Sequence, residues 1–153
     1  MCTEDQKSTE LAAARFAEKF LCSQAIIMAF ASRLDIEPGM AARVAASFGG
    51  GMARMGWTCG AASGALMVIG LKFGHESAQD EDKKGKPYER ARKFLTEFEK
   101  RNGTVSCREL LGVDISTAAG LEKAEKEHLC DKVCPKFVRD AAEILENVLE
   151  DTD

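Results

Sequence analysis

Apolar residues Leu11, Ala14, Phe16, Ala17 and Phe20 recur at helical spacing and predict an amphipathic helix over residues 8–20. A second apolar run follows at once: Ala25, Ile26, Ile27, Met28, Phe30 and Leu34. Ser23 can cap its start, and the two segments can also be one helix bent near Cys22. Pro38 suits the first turn of a short helix over 38–48, because a first-turn N–H has no partner to lose. Gly49, Gly50 and Gly51 end that helix.

The most apolar stretch begins after Thr58, which reads as an N-cap, and runs to Phe73. Its small residues Gly60, Ala61, Ala62, Ser63, Gly64 and Ala65 imply that a backbone or cofactor comes close. Gly74 stops it, and the charged segment 77–86 reads as an exposed, mobile loop. Pro87 opens a helix with Tyr88, Ala91, Leu95 and Phe98 on one face, ended by Asn102-Gly103. Ser106 and Glu109 have capping-box spacing for a short helix stopped by Gly112. A charged helical stretch then extends to about Asp131.

Pro135 reads as the start of the last helix, with Phe137, Val138, Ala141, Ile144, Leu145, Val148 and Leu149 as its stripe. There is no repeat, no strand-like alternation and no dividing linker. The expected fold is all-α: one domain over 1–153, a bundle of five to seven helices around a central apolar helix, with 1–7 as a disordered tail.

Composition supports this. The chain has 153 residues, 45% of them apolar and only 3 prolines, which suits a helical domain with one sizeable core. The net charge of -4, without a basic block, excludes non-specific nucleic-acid binding. No segment approaches the ~20 apolar residues of a membrane span, and the polar start, Met-Cys-Thr-Glu, lacks a signal-peptide layout. A cytoplasmic location is therefore expected, where thiols stay reduced. Six cysteines are more than packing needs there.

Their placement is informative. Cys59 follows Thr58, Cys107 follows Ser106, and Cys134 precedes Pro135 in what reads as a cap position. Cys22 sits where a helix starts or bends. Unpaired N–H groups at helix N-termini favour a thiolate, the form that attacks disulfides and binds metals. The alternative is that each is a small buried apolar side chain. Cys2 lies in the polar tail, and Cys130, one turn before Cys134, reads as a resolving thiol, a spare ligand or packing.

Several chemistries are excluded. No Cys-x-x-Cys occurs, which removes thioredoxin-like and zinc-ribbon motifs, and no Cys-x-x-Cys-His occurs for haem attachment. His75 and His128 have charged neighbours and read as solvent-facing. Gly49-Gly50-Gly51 with Arg54 lacks the Gly-Lys-Ser/Thr ending of a phosphate loop and reads as a close-packed turn.

In order, the segments Cys22-Ser23-Gln24-Ala25, Phe48-Gly49-Gly50-Gly51-Met52, Cys59-Gly60-Ala61-Ala62-Ser63-Gly64-Ala65-Leu66, Cys107-Arg108-Glu109-Leu110-Leu111-Gly112 and Cys134-Pro135 span most of the chain. Together they resemble the C_GCAxxG_C_C family of redox-active four-cysteine proteins. The pattern is also similar to part of the split-Soret cytochromes. That likeness implies an iron–sulfur centre; the haem half has no attachment pair here.

The leading expectation is electron transfer through an iron–sulfur cluster held by Cys22, Cys59, Cys107 and Cys134, since four thiolates are its usual ligand set. Thiol–disulfide exchange by two of the four is the alternative. A structural four-thiolate zinc site, and a helical interaction module with incidental cysteines, are further readings. Arg54 or Arg108 would offset residual charge. A redox partner protein is implied, no nucleic acid or membrane is, and homodimerisation stays open. The four cysteines are expected to surround one small volume.

Overall fold

A computed structural model describes residues 4–151, with side chains from Lys7 onward. The expectations for Cys2 therefore lie outside the described residues. Among those described there are eight α-helices and no strands: α1 (Glu4–Ala17), α2 (Cys22–Ala31), α3 (Pro38–Ala45), α4 (Gly60–Phe73), α5 (Lys86–Asn102), α6 (Cys107–Leu111), α7 (Ala118–Lys126) and α8 (Leu129–Glu150). The all-α class agrees with the pattern. The number exceeds the expected five to seven by one because the first two apolar runs form separate helices, α1 and α2, instead of one bent near Cys22.

α1 starts at Glu4, inside the segment expected to be a tail, because Glu, Gln and Lys are good helix formers. It ends before Lys19, whose φ of 74° breaks the helical path. Ala14 and Ala17, assigned to its inner face, are exposed, and Ala12 is buried instead. α2 starts at Cys22, with extended Leu21 as its N-cap. Its cap contact differs from the expected one: the Gln24 side chain accepts from the Leu21 N–H, while the Ser23 hydroxyl donates to the Ala45 carbonyl. The latter bond ties α2 to the end of α3, which Glu37 caps by accepting from Gly39 and Met40 at 2.8 Å each.

α2 and α4 form the most extensive helix pair. Residues 25–31 of α2 are all buried, as are Gly60 to Ala65 and then Val68 and Ile69 of α4. An apolar helix without a polar face belongs inside, and these two fill that role. Gly64 sets their separation: a Cβ there would lie 2.7 Å from the Ser23 carbonyl oxygen. α8 packs across α1, α5, α4 and α2, burying the stripe from Phe137 to Leu149 that its spacing predicts. α5 buries Phe94 and Phe98, but Tyr88 is exposed and Arg90 is buried in its place. The Arg90 guanidinium lies 5.1 Å from the centre of the Phe73 ring, a favourable cation–π position. The segment 77–86 is exposed or half-buried throughout. No helix among the described residues is long and apolar enough to cross a membrane.

Candidate functional site: a five-thiol cavity

The site is assembled by a short hairpin-like crossing outside the helices. Thr58 and Ser106 form an isolated antiparallel bridge. Around it the Cys59 N–H donates to the Val105 carbonyl at 2.7 Å, and the Cys107 N–H donates to the Trp57 carbonyl at 2.5 Å. Each cysteine directly follows a bridge residue, so both side chains leave on the same side of the pair.

The chain reaches this crossing through a left-handed turn. Gly50, Gly51, Met52, Ala53 and Arg54 have φ of 66, 72, 64, 52 and 58°. Non-glycine residues pay roughly 1–2 kcal/mol each in that region. Amide bonds offset the cost, from Met52 to Phe48, Ala53 to Ser47, Gly56 to Gly50 and Trp57 to Gly51. Gly51 also leaves room for the site, since a Cβ there would come within 2.7 Å of the Cys107 Cβ. The glycine run is thus the close-packed turn its sequence predicts.

Thr58 does not cap α4. Cys59 is itself the N-cap, and Cys22 and Cys107 are the first residues of α2 and α6. Ser106 caps α6 by accepting from Glu109 N–H at 3.4 Å, while the Glu109 carboxylate is engaged by Thr104 instead of closing the box. Three of the four expected cysteines therefore stand at helix N-termini, but not the three expected. Cys134 lies inside α8, which runs through Pro135 without stopping. Half-buried Leu129 and Val133 and buried Cys134 before Pro135, with the buried stripe from Phe137 after it, pack the helix against the core, and that packing outweighs its missing hydrogen bond.

The continuity of α8 brings in Cys130, one turn before Cys134. Cys22, Cys59, Cys107, Cys130 and Cys134 line one cavity of about 50 Å³, completed by Gly50, Gly60, Leu110, Leu111, Ile115 and Phe137. The four expected residues are thus brought to one volume, and a fifth joins them. All five are free thiols. Cys59, Cys107 and Cys134 are buried, Cys22 is half-buried and Cys130 is exposed. The helical spacing of Cys130 and Cys134 was the available signal for the fifth member; the continuity of the helix between them was not apparent.

Burial governs the thiols more than the helix ends do. Burial pushes Cys59 up to about 11, against the Ala61 and Ala62 amides, which favour its thiolate. Burial, then the neighbouring Cys130, pushes Cys107 up to about 11. Contact with Cys134 and then burial raise Cys130. Cys134 is also raised: contact with Cys130 acts to lower it, but the Cys22 thiol, burial and Cys59 outweigh that. The expectation of a thiolate is therefore corrected at Cys59 and Cys107, which without a cation are thiols at neutral pH. Desolvation of a fully enclosed sulfur exceeds what one helix end returns.

Beside the cavity lies an open cleft of about 370 Å³ that shares Cys22, Gly50, Ile115 and Cys130 with it. Phe16, Phe20 and Leu121 form apolar wall, and Lys19, Arg54, Glu125, His128 and Asp131 bring charge. Lys19 and Asp131 pair across it at 3.0 Å. Arg54 faces Cys130 and favours its thiolate. Arg108, the other cation expected at the sulfurs, instead bonds the Met55 carbonyl and pairs with Asp114 at 3.4 Å. His75 and His128 are exposed.

The cavity donors are all sulfur, with no carboxylate or imidazole among its lining residues. That set fits a soft or borderline metal and not magnesium or calcium. Among the described residues no group of three or more His, Cys, Asp or Glu side chains is already drawn together around a metal position.

No match was found among curated proteins or among solved structures. A protein-family model, described as putative redox-active protein (C_GCAxxG_C_C), matches residues 20–148, a span that contains all five cavity cysteines. The chain belongs to the C_GCAxxG_C_C family of redox-active proteins.

Proposed function

We propose that the chain is an electron-transfer protein whose redox centre is an iron–sulfur group held by Cys22, Cys59, Cys107 and Cys134. The observation that carries this reading is the convergence of separate segments on one apolar, all-thiol cavity. Such a centre, when bound, supplies one-electron chemistry, and burial among apolar side chains and nearby charge tune its potential. The chain's own part is to gather four sulfurs, exclude water with Leu111, Ile115 and Phe137, and leave an approach through the cleft for a redox partner protein.

The raised thiols weigh against catalytic disulfide exchange as the main activity. Exchange needs a thiolate near neutral pH, and Cys59 and Cys107 are held as thiols up to about 11. A metal cation reverses this, because ligation drives the proton off and binding couples to deprotonation. Four thiolates also suit zinc, which is colourless and without redox chemistry.

Anaerobic reconstitution with ferrous iron and sulfide tests the reading. Visible absorption with stoichiometric iron and sulfide is expected, and should fall sharply in Cys59→Ser and Cys134→Ser. A colourless protein that retains zinc alone, or serine variants with full iron content, would overturn it.

A further inference from the structure

Cys130 stands outside the four-cysteine pattern, yet it lines both the thiol cavity and the cleft that opens to solvent. It is exposed, whereas Cys134, one helical turn later on α8, is buried. Of the pair, Cys130 is the one a reagent in the cleft meets, and Cys134 is the one behind it. The cleft, at about 370 Å³, is of a size that takes small organic molecules.

Residues four apart on a helix hold their Cβ atoms about 5–6 Å apart, and a disulfide needs about 3.5–4.5 Å. That turn must therefore tighten. Pro135 loosens the adjoining turn: it has no N–H to bond the Asp131 carbonyl, so one backbone tie is missing beside the turn that carries Cys130 and Cys134. The left-handed His128, with φ of 52°, ends helical geometry just before Cys130 and leaves the first turn of α8 without an upstream helical neighbour.

We propose that a low-molecular-weight disulfide entering the cleft converts Cys130 and Cys134 into an intrahelical disulfide in the cofactor-free chain, withdrawing Cys134 from the four-thiol set. Cys130, exposed in the cleft, gives up its proton to solvent only slowly, because Cys134 and burial hold it as a thiol against the pull of Arg54. Its sulfur then attacks one sulfur of the small disulfide, forming a mixed disulfide and releasing one small thiolate, which takes up a proton. The Cys134 sulfur then gives up its proton and displaces the second small thiolate, closing the Cys130–Cys134 bond. Two protein thiols are oxidised and one small disulfide is reduced to two thiols. This is a single stoichiometric event, reversed by excess small thiol, and acts as a redox lock on cofactor loading. The effect on loading rests on the reading of Cys134 as a ligand; the disulfide itself does not.

The test uses the full chain, freed of metal by chelation under anaerobic conditions and treated with oxidised glutathione. Tryptic cleavage after Lys132 separates Cys130 from Cys134, so a disulfide between them appears as two joined peptides. Expected are that joined pair, loss of two hydrogens in intact mass, full reversal by reduced glutathione, and no joined pair in Cys130→Ser. Iron and sulfide loading should then be lost on oxidation of the native chain and unaffected by the same treatment in Cys130→Ser. A stable glutathione adduct at Cys130, a Cys22–Cys130 link, or no reaction overturns the disulfide. A disulfide that forms while untreated protein binds no iron leaves the disulfide standing and removes the iron–sulfur reading.

Discussion

Cys59 and Cys107 each follow one partner of the Thr58–Ser106 bridge, and their amides bond across it to the carbonyls of Val105 and Trp57. Two cysteines far apart in sequence are thereby held by backbone as well as by packing. Cys22 and Cys134 approach from helices α2 and α8, so the site rests on two helix positions and one crossing of extended chain.

Glycines within α4 should respond oppositely to substitution. Gly64→Ala places a methyl 2.7 Å from the Ser23 carbonyl oxygen, forcing α2 away, and should cost about 1–3 kcal/mol, as overpacking does. Gly70 is exposed with nothing within 4 Å of an added Cβ. Gly70→Ala should stabilise by about 0.4–1 kcal/mol through helix propensity and a less flexible unfolded chain. Urea denaturation of both variants reads the two signs.

Arg33 and Glu146 form an ion pair at 2.6 Å, with the Glu146 side chain 5% exposed. The same guanidinium donates to the Ser8 hydroxyl at 3.3 Å, so α1, the 3-10 turn that follows α2, and α8 meet there. Glu146→Ala leaves a partly buried cation without its partner and should cost about 3 kcal/mol. Arg33→Met with Glu146→Leu should recover most of the loss, measured as a double-mutant cycle in denaturant.

Alkaline stability should depend on Cys59. Its thiol is raised from 9.0 to about 11 in the fold. Between these values the unfolded chain has released the proton and the native chain has kept it, so stability falls as pH rises through that window. The stabilising contribution is complete below pH 9.0 and gone above about 11, on the order of 2–3 kcal/mol in all. Metal-free protein and Cys59→Ala, denatured across this range, should converge as pH rises; parallel curves would remove the effect.

Limited proteolysis should cut first within 77–86. Its residues are exposed or half-buried, with a single turn of 3-10 helix at Glu81–Lys83 and no large apolar anchor. Mapping the first trypsin fragments checks this, and early cleavage within α4 or α8 would contradict the packing described.

Helix ends marked by local chemistry were legible in the sequence. Pro38, Pro87, Gly103 and Gly112 stand at ends whose backbone they suit, and the small-residue run of α4 announces a buried helix. Tertiary choices were less so. Pro135 reads as a helix start on local grounds, and packing of Val133 and Cys134 before it and of Phe137 and Val138 after it keeps α8 continuous. Tyr88 fits the inner stripe by spacing, but Arg90 takes the inner place because the Phe73 ring is there to receive it. The left-handed turn at Met52, Ala53 and Arg54 has no periodic signature, since residues without a glycine's freedom enter it only when the surrounding bonds enforce it.

The order in which the sulfurs occur along the chain also has a biosynthetic consequence. Cys22, Cys59 and Cys107 emerge from the ribosome well before α8, which supplies Cys134 and the Phe137 wall. Until α8 has been made and docked, three reduced thiols stand in an incomplete pocket, open to solvent and to wrong pairing. Assembly of the thiol cavity is therefore complete only once the last helix has been made and docked.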